Sequence, residues 1–192
     1  MMLLDHFPES VTIGNAEYPI NADFRAMIAF EIAVQNCGSN SKQAVFEGLC
    51  AFYPQGIPEE VEEAIQQMLW FYSCGRETEN KEDHKPQSAR KSVYSFDDDG
   101  GRIHAAFLSQ YSMDLLKIDF LHWWEFRQLF EGLDDNCEFV KIMGYRSMKI
   151  TSKMPAEQRR FYQKMKRIYK LKDHRTEEQK EQDMIAALSA FF

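Results

Sequence analysis

Apolar and polar residues alternate on either side of Gly14-Asn15 in the stretch SVTIGNAEYPIN, which predicts a small N-terminal β-hairpin. Asn-Gly-type pairs tolerate the positive backbone angles of a tight turn, and this pair stands where the alternation reverses. The period then becomes helical. Phe24, Ile28 and Ile32 recur four apart with Met27 widening the stripe, Asn21 or Asp23 is placed to cap, and the pattern ends near Gly38. A second helix is predicted from Ser41, with Val45, Leu49, Phe52 and Tyr53 on its apolar side and Pro54 and Gly56 ending it. A third opens at Pro58. Glu59, Glu60, Glu62 and Glu63 sit where the positive end of the helix dipole favours carboxylates, so this acidic run reads as a helix start. Val61, Ile65, Met68, Leu69 and Tyr72 give the expected buried stripe, and Gly75 the stop.

Residues 76–92, RETENKEDHKPQSARKS, hold no large apolar side chain, so burial cannot offset the entropy of ordering them. A linker or loop is expected there. It divides a hairpin with helices (1–75) from a helical core (93–175), which a short C-terminal helix (176–192) follows. Past the linker, Tyr94 and Phe96 precede an acidic start, and Ile103, Phe107 and Tyr111 are spaced as one helix face. MDLLKID is a connection whose Asp119 is placed to cap the next helix.

That next helix, LHWWEFRQLFEGLDD, is predicted over about four turns. At about 100° per residue, His122, Trp123, Phe126, Leu129, Phe130 and Leu133 share one broad face. Phe120, Leu121 and Trp124 share another, flanked by Arg127, Gln128 and Glu131. Trp123 is therefore expected in the core and Trp124 half-exposed, with Phe120, Leu121, Trp124 and Arg127 as a candidate partner-binding face, since exposed tryptophan beside arginine is enriched in interface hot spots. His122 on an apolar face is expected to be a core histidine bonded to backbone. Cys137, Val140, Ile142 and Met143 predict a short helix ended by Gly144.

A long helix follows from Pro155. Between Arg159 and Arg175 its only acid is Asp173, against Arg159, Arg160, Lys164, Lys166, Arg167, Lys170, Lys172 and Arg175. Phe161, Met165, Ile168 and Tyr169 are expected to form its buried side. Arg159, Arg160, Lys166 and Arg167 are candidate contacts for a partner; interleaved Tyr162 and Tyr169 also allow a nucleic-acid reading. The last residues, with Met184, Ile185, Leu188, Phe191 and Phe192, predict a short apolar helix, and Phe191 and Phe192 are candidates for docking in cis or into a neighbour.

The remaining sequence mostly excludes. A net charge of −7 argues against general nucleic-acid binding outside the basic helix. Fifteen phenylalanines, eight tyrosines and three tryptophans supply a core without staples, and the four cysteines, far apart and without CxxC spacing, read as reduced thiols. No apolar run approaches the roughly 18 residues of a membrane span. DDDGG lacks the spacing of a calcium loop and reads as a helix cap. The five histidines make no HxxxH or HExxH pair, and no nucleophile-elbow, phosphate-loop or dinucleotide motif occurs, so no metal, cofactor or catalytic residue is expected. An enzyme without a motif would announce itself by a concave pocket around His104 or His122.

YPINADFR, YSFDDDGGRIHAAFLSQYSMDLLKID, LHWWEFRQLFEGL, the IMGYR block and the basic helix ending KRIYKL, in that order, resemble the bacteriophage gene-product-fifteen family of Gram-positive siphophages and prophages. The likeness runs from about Met1 to Leu171, and the doubled tryptophan with Phe126, Arg127 and Gly132-Leu133 is its specific part. Beyond Lys172 no family motif is matched. The periods above predict a mainly α-helical bundle with a small N-terminal β-hairpin, and the resemblance implies a phage morphogenesis protein of the host cytoplasm, similar to those encoded between the tail-tube and tape-measure proteins. It implies a tail assembly chaperone whose partner is the tape-measure protein or another tail component, with an oligomer as a further possibility. A nucleic-acid or host-factor binder using residues 159–175 is the alternative from another class.

Overall fold

The computed structural model describes residues 6–36, 41–76 and 93–172. Most of the segment expected to be a linker, and the whole C-terminal segment with Phe191 and Phe192, lie outside the described residues. The chain forms two compact units, residues 1–75 with 173–192, and residues 76–172. Among the described residues there are seven helices and one two-stranded antiparallel sheet, so the fold is mainly α with an N-terminal hairpin.

In the first unit, β1 (Ser10–Ile13) pairs with β2 (Ala16–Pro19) in the register Ile13↔Ala16 and Ser10↔Pro19. The turn between them is Gly14-Asn15, as the alternation predicted, and Gly14 takes the positive φ of 59° that lets two residues reverse the chain. Val11 and Ile13 face the core. The next helix, α1 (Phe24–Asn36), is capped by Asp23, whose Oδ1 accepts from the Arg25 amide at 2.9 Å. Asn21 acts elsewhere, its Nδ2 donating to the Ala51 carbonyl near the end of α2 (Ser41–Phe52).

Gly48 lets α2 approach α1. A Cβ there would overlap Phe30 Cδ2 and lie 3.0 Å from Cε2 and 3.2 Å from Cγ. Phe30 is buried with its ring at an edge-on angle to Tyr72, 5.6 Å away, and so has little room to turn aside. Alanine improves intrinsic helix propensity by up to about 1 kcal/mol over glycine, whereas overpacking a core costs about 1–3 kcal/mol. Gly48→Ala is therefore expected to lower the stability of this unit; a raised urea midpoint would show that the Phe30 ring yields.

The third helix, α3 (Val61–Tyr72), carries Glu62 and Glu63 in its first turn, and Glu63 Oε2 accepts from the Gly14 amide at 3.1 Å. Its buried face is Ala64, Met68 and Phe71, rotated from the expected stripe: Val61 and Leu69 are exposed. Glu62, Glu63, Gln66 and Gln67 share its polar face, and small Ala64 lets Tyr53 come close enough for its hydroxyl to donate to the Ala64 carbonyl at 2.9 Å. Burial pushes the Tyr53 phenol up to about 12.

The second unit contains α4 (Phe96–Tyr111), α5 (Trp123–Glu131), α6 (Glu138–Ser147) and α7 (Ala156–Ile168). Its core is aromatic. Phe126 stacks between Phe107 (5.1 Å between centroids) and Trp123 (5.7 Å), and Phe96, Phe130, Phe139 and Tyr94 extend the cluster. No helix among the described residues is long and apolar enough to cross a membrane.

Two expectations about α5 are corrected. The helix begins at Trp123 rather than after Asp119, because His122 is its N-cap, with Nδ1 accepting from the Trp124 amide at 3.0 Å. His122 is buried and bonded to backbone, as expected. The second correction concerns the outer face. Trp124 is only 8% exposed and Leu121 only 4%, leaving Phe120, at 57%, as the one open member of that trio. With the helix shortened, Phe120 and Leu121 lie on a non-helical segment where consecutive side chains point apart, so the three do not form one face.

Candidate protein-binding surface

The helix start Ser95-Phe96-Asp97-Asp98-Asp99 sets the first component of the site. Ser95 Oγ accepts from the Asp98 amide, and the Ser95 amide returns a bond to Asp99 Oδ2 at 3.2 Å, a reciprocal cap that carries Asp99 inward to complete burial. A carboxylate there requires a charged partner. Arg146, on α6, supplies it with a two-pronged contact: Nη1 to Oδ2 at 2.5 Å and Nη2 to Oδ1 at 3.0 Å. Arg102, one turn along α4, adds a third bond at 3.0 Å.

The same guanidinium reaches two backbone carbonyls. Nη1 donates to Val93 at 3.1 Å, and Nε donates at 2.6 Å to Tyr169, the residue that closes α7. The last carbonyls of a helix lack partners within it, and a cation is favoured there by the dipole as well. Lys166 ties α7 back from the other side, its Nζ donating to the Arg146 carbonyl at 2.8 Å. Lys172 extends the fastening: its amide donates to Asp98 Oδ2 at 2.7 Å and its ammonium lies 3.3 Å from Oδ1. A ring cluster completes the seat, with Tyr145 stacked on Tyr169 (6.0 Å) and close to Phe161 and Tyr162.

The seat is narrow. None of the residues of α7 is buried, although its apolar and charged residues segregate sharply. Tyr162, Met165, Lys166 and Tyr169 lean toward the fold and are half-covered, while Phe161 and Ile168, expected on the buried side, are 47% and 54% exposed. The stripe is on one side of the helix as predicted, but α6 and Tyr145 cover only one edge of it. Arg160, Lys164 and Arg167 are exposed beside the open edge.

The sequence-derived candidates therefore separate. Arg160 and Arg167 are exposed, and Arg159 is half-buried. Lys166 is engaged with α6. Arg127, far from this helix in sequence, is half-buried in contacts of its own: it donates to Tyr94 (3.2 Å) and Glu131 (3.1 Å) and lies 5.6 Å from the Trp123 and Phe130 rings. Arg76 and Arg127 hold the Glu131 carboxyl below its usual range, Arg76 having the larger part. Nothing local in the sequence marks Asp99, Arg146 or Tyr145, since an aspartate within an acidic run and an arginine 47 positions on show no pattern.

Asp99 and Arg146 fall inside the two blocks, YSFDDDGG and IMGYR, that carry part of the family likeness. The sequence model of the bacteriophage Gp15 protein matches residues 3–171. The chain belongs to that family. The match ends at Leu171, so the Gp15 region includes α7 and its fastening through Tyr169, while residues 172–192 fall beyond it. No curated protein and no solved structure matches the chain. Membership makes this a bacteriophage protein, and the Gp15 family suggests a structural or morphogenesis role.

Proposed function

We propose that this Gp15 family member is a tail assembly chaperone that works in the host cytoplasm by binding another phage protein, the tape-measure protein first among the candidates. The observation that supports the reading is the outer edge of α7, where an apolar ridge is left open on a helix that the fold holds firmly at its C-terminal end. Ordinary core helices close such a stripe against neighbours. An open apolar stripe on a seated helix offers a surface for the apolar face of a second amphipathic helix. The chain's net negative charge keeps it dispersed in spite of the exposed side chains.

The nucleic-acid alternative gains less from the geometry. Tyr162 and Tyr169, the rings available for stacking on bases, are packed against Tyr145, and Lys166 is bound to a carbonyl. Co-expression with the tape-measure protein tests the main reading. The tape measure is expected to move into the soluble fraction and to co-purify with this chain. If its solubility is the same with and without the chain, the chaperone role is lost.

A further inference from the structure

We propose that the outer face of α7 receives an acidic amphipathic helix, its apolar stripe lying on Phe161 and Ile168 and its carboxylates meeting Arg160, Lys164 and Arg167. The inference rests on the tail-assembly reading for why a partner is needed, and it adds the place and the chemistry of that partner. Phe161 and Ile168 are seven residues apart and so stand in line, about 10 Å from each other along the helix axis. Arg160, Lys164 and Arg167, at spacings of four and three, all fall on one flank of that line. The opposite flank is occupied by Tyr162, Met165 and Tyr169, which lean toward the fold. The open surface is thus a short apolar ridge with a cationic border on one side only.

Charge complementarity selects the occupant. Among the described residues, none of the three cations has a side-chain hydrogen bond or ion pair, although the chain has thirty carboxylate residues to twenty-three Lys and Arg. A helix with apolar residues at three- and four-residue spacing and Glu or Asp along one side covers the ridge and neutralises the border together. A second copy of α7 does not: an antiparallel two-fold pair brings like flank to like flank, so the two cationic borders would face one another. Nucleic acid would use the cations and leave the ridge uncovered, and three phosphate contacts provide only a small counterion-release gain.

The test uses the full chain and two fluorescent synthetic helical peptides with identical leucine stripes, one bordered by glutamates and the other by lysines. The glutamate peptide is expected to bind about tenfold or more tightly than the lysine peptide, and to weaken as salt rises. Arg160→Glu, Lys164→Glu and Arg167→Glu together should reverse that preference, while Phe161→Ser with Ile168→Ser should abolish binding of both peptides. Arg160, Lys164, Arg167 and Ile168 are exposed and Phe161 meets the Tyr145 ring by one edge only, so circular dichroism should show each variant folded, and Ile168→Ser alone, which leaves the ring cluster whole, should weaken both peptides. Equal binding of the two peptides, an unaltered preference in the triple variant, displacement of the peptide by short DNA or RNA, or a dimer of the wild type that Phe161→Ser dissolves would each overturn the assignment. Co-purification of the tape measure with the triple variant at wild-type yield would remove this face while leaving the chaperone role standing. Peptide selectivity without tape-measure binding would do the reverse.

Discussion

Arg146→Ala is expected to destabilise the second unit by about 3–5 kcal/mol, the usual consequence of removing one partner from a buried ion pair. The figure follows from what is left behind. Asp99, fully buried, would keep only the Arg102 guanidinium and the Ser95 amide, and the Val93 and Tyr169 carbonyls would each lose a charged donor. Asp99→Asn should cost a comparable amount by leaving the guanidinium opposite a neutral amide, whose nitrogen cannot accept a hydrogen bond. Replacing both residues by apolar ones should cost much less than the sum of the single changes, because the penalty lies in the orphaned charge and disappears with it. Urea unfolding of the four proteins, followed by hydrogen exchange at α4 and α6 so that the second unit is read by itself, measures this. Single changes below about 1 kcal/mol would place the pair among weakly coupled surface ion pairs. Arg146→Ala should also speed exchange in the last turn of α7, since Tyr169 is held through it.

That node illustrates what the sequence could not reveal. The hairpin was legible because alternation and a two-residue turn are local signals, and the start of α4 because a run of three aspartates marks a helix N-terminus, although the capping side chain is that of Ser95 just before it. The Asp99–Arg146 pair spans 47 residues, and neither member differs in type from its solvated neighbours. On α3 the pattern predicted the helix and its buried Met68 but rotated the stripe, since Val61 and Leu69 are exposed while Ala64 and Phe71 pack inward, with Tyr53 on the Ala64 carbonyl and the Phe52 ring against Phe71. On α7 Met165 and Tyr169 lean toward the fold as expected, whereas Phe161 and Ile168, expected beside them, are open. Periodicity tells which residues share a side; how much of that side is covered depends on neighbours distant in sequence. The cations Arg160 and Arg167 were legible for that reason while the openness of Phe161 and Ile168 beside them was not, and the paired tryptophans belong to the core.

Phe126→Ala is expected to cost about 3–5 kcal/mol, near the upper end for deleting a core side chain. Phe126 is fully buried, and the rings of Phe96, Phe107, Trp123 and Phe130 surround it at centroid distances of 5.1–6.0 Å. Removing it takes away both the transfer energy of the ring and the neighbours' contacts, and four rigid rings collapse poorly into the space. Phe126→Leu should recover more than half of the loss by refilling volume without the stacked geometry. Near-ultraviolet circular dichroism should weaken together with stability, because Trp123 and Phe107 lose the ring stacked between them. Trp124→Ala belongs in the same series: the indole is sealed, so any loss of partner binding in that variant must first be separated from loss of fold. The comparison with Ile168→Ser, an exposed site outside the ring clusters, makes the separation. A protein that keeps its unfolding midpoint and loses its partner places recognition on α7, whereas a Trp124→Ala protein that stays fully stable would refute the tight packing assigned to α5.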